Sequence, residues 1–128
     1  MNKKILDLSL LAGVAIFSSM AVAHFLGLKI PLLFIYYDTP FHAYQDKIIS
    51  FCLVTYACFL YAATKHNAIM PMVLVALSVT VLGLAAINLS DALASVLDGR
   101  STLIYWAETG VFAVYLGWLF LCHRSSRA

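Results

Sequence analysis

The sequence predicts an all-α integral membrane protein: four transmembrane helices in a compact bundle, both termini cytoplasmic. Three observations carry that expectation. The first is composition. Hydrophobic residues make up 63% of the 128-residue chain and charged residues 11%, whereas a soluble domain is nearer half apolar and a quarter charged. Six acids and eight bases cannot coat a soluble fold of this size. The same numbers exclude a disordered tail and a nucleic-acid-binding module.

The second observation is the spacing of apolar runs. Residues 5–28, 48–64, 70–87 and 103–122 each form a run near the ~20 residues that a helix needs to cross a bilayer. None alternates apolar and polar residues as a transmembrane barrel strand does. The third observation is the placing of positive charge. With four spans both termini share a side, and that side carries Lys3, Lys4, Lys65, Arg124 and Arg127. The opposite side carries Lys29, Lys47 and Arg100 against Asp38, Asp46, Asp91 and Asp98. The excess of Lys and Arg marks the cytoplasmic side, and a bacterial inner membrane suits the short basic start and compact loops. The chain reads as one domain, residues 1–128.

Each element has its own signals. The first span opens after Lys3-Lys4 and contains only Asp7 and His24 as ionisable residues. Its Ala21-Val22-Ala23 resembles a signal-peptide cleavage site, but the run is long for a signal and Asp7 interrupts its start. We therefore read it as a retained span. The outer connection 29–47 places Tyr36 and Tyr37 at headgroup depth. There Thr39-Pro40 reads as a helix start, with Asp38 or Thr39 as the cap. Residues 65–69 make a tight inner hairpin, and Pro71 fits the first turn of the third helix. For 88–102 two readings stand: the third helix projects past the membrane, or it breaks near Asn88-Leu89-Ser90 and a short interfacial helix follows. Leu89, Leu93, Val96 and Leu97 recur there at helical spacing, and Asp98-Gly99 marks an end.

Ionisable groups within spans are costly, so they point to candidate sites. His24, Asp38, His42, Gln45, Asp46, Asn88, Asp91 and Glu108 all fall at the outer level of the bundle. Glu108 lies ~7.5 Å inside the fourth span by helical rise. If Pro40 opens a helix, His42 and Asp46 share one face a turn apart. A carboxylate there can orient an imidazole, or both can ligate a metal. His42, Asp46 and Glu108 are the candidate metal ligands, with His24 and Asp91 as further donors. The plainer readings are a solvated His42–Asp46 surface pair and a Glu108 carboxyl held by Tyr105, Asn88 or a histidine. No zinc-protease, haem or cysteine-cluster motif is present, and the residues name no cofactor. The intramembrane hydroxyls Ser18, Ser19, Ser50, Thr55 and Ser78 are expected to bond their own helices.

Small residues recur at two places. Ala15, Ser19 and Ala23 form a stripe on the first helix, and Gly110, Ala113 and Gly117 form one on the fourth. Such stripes let helices approach closely, within one bundle or between subunits. Tyr105, Glu108, Phe112 and Tyr115 share a face that reads as packing or as a ligand crevice, while Tyr105, Trp106 and Trp118 fit aromatic belts. Three functions are expected in this order. The first is a non-catalytic accessory or assembly subunit, acting by helix contacts in a homo-oligomer or larger membrane complex. The second is a homo-oligomeric carrier or channel for a small solute, proton or cation, using Glu108. The third is an outer-face metal site built from His42, Asp46, His24, Asp91 and Glu108.

Overall fold

A computed structural model describes residues 3–30, 42–97, 99 and 101–127, with the side chains at 42, 96 and 127 outside that description. It is helical: α1 (Lys3–Leu26), α2 (His42–Lys65), a 3₁₀ turn (Asn67–Ile69), α3 (Met70–Asn88), α4 (Asp91–Leu97) and α5 (Leu103–Arg127). Four of these helices, α1, α2, α3 and α5, are long and apolar enough to cross a membrane. At 24 residues α1 reaches ~36 Å, more than the ~30 Å hydrocarbon core.

The helix ends follow from local chemistry. Gly27 has φ 69°, a conformation that costs most residues a steric penalty but not glycine. This lets Leu28 N–H reach Ala23 O at 2.8 Å and Gly27 N–H reach His24 O at 3.3 Å. The pair forms a Schellman ending that satisfies carbonyls the helix would leave open. At the opposite end His66 is extended, and Pro71 sits in the first turn of α3, where its missing N–H costs nothing. The chain does break after Asn88: Ser90 N–H and Oγ–H both donate to Ile87 O, at 3.0 and 2.7 Å, and α4 follows. Of the apolar series expected there, Leu93 and Leu97 are buried while Leu89 is exposed. Helix α5 is longer than its apolar run and continues to Arg127.

The four long helices form a closed ring. Each of α1–α2, α2–α3, α3–α5 and α5–α1 is a packed edge, and among the described residues the diagonal backbones stay apart. Cross-links between opposite helix halves, such as His24 to Asp46 and Ser9 to Trp118, make the neighbours antiparallel. Lys3, Lys4, Lys65 and Arg124 therefore collect at the end that carries the termini. Phe17 sits at the centre. Its ring stacks on Tyr56 of α2 at 5.2 Å and tilts against Phe112 of α5 at 5.8 Å. Leu10, Leu60, Leu77 and Leu119 fill the rest of the axis and are fully buried. In a bilayer this packing is dispersion rather than hydrophobic burial, because lipid tails are as apolar as leucine.

Candidate functional site

Every edge of the ring carries a hydrogen bond between its two helices. At the end away from the termini, His24 Nδ1–H of α1 donates to Asp46 Oδ1 of α2 at 3.1 Å, with side-chain exposures of 13% and 9%. The carboxylate fixes which imidazole nitrogen carries the proton. Lys47 lies beside this pair, its Nζ 5.9 Å above the Phe25 ring. Across the ring, Asn88 Nδ2–H of α3 donates to Thr109 Oγ1 of α5 at 2.9 Å, and Thr109 in turn donates to Tyr105 O. At mid-height the Tyr56 hydroxyl of α2 and the Thr80 hydroxyl of α3 share a hydrogen bond at 2.5 Å, and Ala76 O of α3 lies within accepting distance of both, at 3.2 and 3.1 Å. Toward the termini, Tyr115 O–H of α5 donates to Ser9 O of α1 at 3.0 Å, and Trp118 Nε1–H donates to Ser9 Oγ at 2.8 Å.

Of the polar residues at the end away from the termini, two form a pair and a third bonds a residue outside the candidate set. His24 meets Asp46 on the α1–α2 edge, and Asn88 meets Thr109 on the opposite edge. Asp46 is buried at 6% exposure because it points into the bundle, which the reading of a solvated surface pair with His42 does not accommodate. His42 and Asp46 are both on α2, one turn apart, but the His42 side chain lies outside the description. Asp38 lies outside the described residues. Gln45 and Asp91 are exposed. Asn88 is committed to Thr109 and does not hold Glu108. Among the described residues no group of three His, Cys, Asp or Glu side chains gathers for a metal.

Glu108 stands apart from both pairs. It lines a crevice of about 340 Å³ between α1 and α5, with Phe17, Phe112, Tyr115 and Trp118. The face of α5 expected to pack or to line a crevice does both: Phe112 touches Phe17, and Tyr115 bonds Ser9. No protein-family model, curated protein or solved structure matches this chain.

The small-residue stripes behave differently from each other. Ala23 is buried at 3% exposure, whereas Ala15 and Ser19 of the same stripe face outward. Gly110, Ala113 and Gly117 are all exposed, and a Cβ added at Gly110 or Gly117 would meet nothing within 4 Å. The stripes do not mate within one chain. The close approach of α1 to α5 depends instead on Gly13, where a Cβ would overlap the Tyr115 hydroxyl and lie 2.9 Å from Leu60 Cδ1. In the sequence Gly13 has a single small neighbour at four-residue spacing, Ser9, because Ile5 and Phe17 end the repeat on either side. The hydroxyls Ser19, Ser50, Thr55 and Ser78 donate to carbonyls of their own helices, as expected of intramembrane Ser and Thr.

Proposed function

We propose that this protein is a small non-catalytic subunit of the bacterial inner membrane, with both termini in the cytoplasm. In this reading it works by presenting the outward face of α5 to another transmembrane helix, in a homo-oligomer or a larger complex. The observation that carries this reading is an imbalance. Only 11% of the apolar stretch of α5 is buried, against 33% for α1. The open side of α5 holds Gly110, Ala113 and Gly117, over which a second backbone can pass closely. The ring's own four edges are each closed by a hydrogen bond, so α5 is held in place without a partner. The cytoplasmic assignment is supported by Lys3, Lys4, Lys65 and Arg124 at the terminus end. A carrier pathway draws less support: Leu10, Phe17, Leu60, Leu77 and Leu119 fill the axis of the bundle.

Native mass spectrometry of the protein extracted in mild detergent tests the reading. A dimer or hetero-complex is expected, reduced to monomer by Gly110→Leu and Gly117→Leu while the melting temperature of the chain holds. A monomer in mild detergent and in nanodiscs, with no co-purifying membrane protein, would refute it.

A further inference from the structure

The α1–α5 edge carries a feature that the partner reading does not use. Ten positions of α5 separate Glu108 from Trp118, so the crevice runs ~15 Å along the helix. Phe112 and Tyr115 line it between them, and Phe17 and Gly13 form the facing wall on α1. It opens sideways, past Ile16 and Val114 at 51% and 74% exposure. The Tyr115 hydroxyl and the Trp118 indole N–H are both committed to Ser9. Glu108 is different: among the described residues it has neither a hydrogen-bond nor an ion-pair partner.

A lone carboxylate in apolar surroundings is costly, and the charge is relieved either by a proton or by a cation that joins it. Aromatic rings add attraction for an organic cation. The charge lies at one end of the crevice, ~7.5 Å from the start of α5, and the rest is an apolar channel leading toward the bilayer centre. That is the posture of an amphiphile in the leaflet nearest Glu108. A zwitterionic phospholipid brings its ammonium tethered to an anionic phosphate, whose repulsion by the carboxylate offsets the attraction.

We propose that this crevice binds a single-chain cationic amphiphile, a long-chain quaternary or primary ammonium. The head sits on Glu108 and the chain runs past Phe112 toward Trp118. The proposal rests on the α1-facing side of α5 and is independent of the partner reading, which uses the opposite side.

The test uses the full chain in phosphatidylcholine nanodiscs. Trp106→Phe leaves Trp118 as the single indole, since the chain has two tryptophans. The probe is an ω-bromoundecyl trimethylammonium, whose bromine quenches an indole on contact. Saturable quenching is expected, weakened about tenfold or more by Glu108→Gln. The uncharged ω-bromoundecanol is expected to quench only in proportion to its partitioning. Unbrominated dodecyltrimethylammonium should relieve the quenching in the chain that keeps Glu108, and dodecanol should not. That arm needs no substitution at Glu108, so it decides the matter even if Glu108→Gln fails to fold. Equal quenching in the Glu108→Gln chain, or equal competition by the alcohol, would overturn the proposal.

Discussion

Gly13 sets how near α5 comes to α1. The Tyr115 hydroxyl occupies the space a Cβ would take, and from there it donates to Ser9 O. Gly13→Ala is expected to destabilise the chain by about 1–3 kcal/mol, the usual cost of overpacking a filled site. Tyr115→Phe in the same chain should recover part of that loss by removing the obstructing oxygen. Thermal melting in detergent reads both, and an unchanged melting temperature in Gly13→Ala would show that the contact is soft. Gly110→Ala makes the opposite case. Nothing lies within 4 Å of the added methyl, so the isolated chain should gain up to about 1 kcal/mol of helix propensity. For His24 and Asp46, a double-mutant cycle of His24→Ala and Asp46→Asn is expected to give a coupling of about 1 kcal/mol, in the range of interhelical hydrogen bonds in membranes. A coupling near zero would mean that the 3.1 Å bond does not persist in the bilayer.

At the scale of elements, the helices were legible because their causes are local. An apolar run of this length, a glycine able to adopt φ 69° and a proline in a first turn all act within a few residues. The connection after Asn88 was less legible. Projection and breakage differ by two residues, and the i−3 backbone bonds of Leu89 N–H to Ala86 O and Ser90 N–H to Ile87 O belong to the broken form. The α3–α5 edge yields its own prediction. Thr109→Val keeps the shape of Thr109 but removes the acceptor from Asn88 Nδ2, and should cost about 0.6–2 kcal/mol. Thr109→Ser should cost less, since it keeps the acceptor. If valine is as stable as threonine, the α3–α5 edge is held by packing alone.

For the whole molecule, the testable content is the order of helices around the ring. In a chain without its native cysteines, paired cysteine substitutions at His24 and Asp46, or at Asn88 and Thr109, should be bridged by a short bifunctional maleimide. Paired substitutions at Asp46 and Thr109, on diagonal helices α2 and α5, should not. Bridging of the diagonal pair at the rate of the edge pairs would refute the ring. The candidate site was legible only in part at this scale. That His24, Asp46, Asn88 and Glu108 share the end of the bundle away from the termini follows from counting residues along each span. Their gathering into one cluster does not follow, because depth says nothing about rotation. The ring turns His24 and Asp46 to one edge, Asn88 to the opposite edge, and Glu108 into the α1–α5 crevice.

That the chain is helical, with four helices long and apolar enough to cross a membrane, is already legible in its sequence. In hydrocarbon each span must satisfy its own backbone hydrogen bonds, and that requirement is written in about twenty consecutive residues. Which polar groups meet is fixed only once the helices pack. His24 and Asp46 are 22 positions apart, and Ser9 and Trp118 are 109. Such partners are chosen by the rotation and neighbour order of whole helices, which depend on how Phe17, Gly13 and the axial leucines fill the space between them. Lipid gives an apolar helix face little preference between a neighbouring helix and the bilayer, so hydropathy carries no record of that choice.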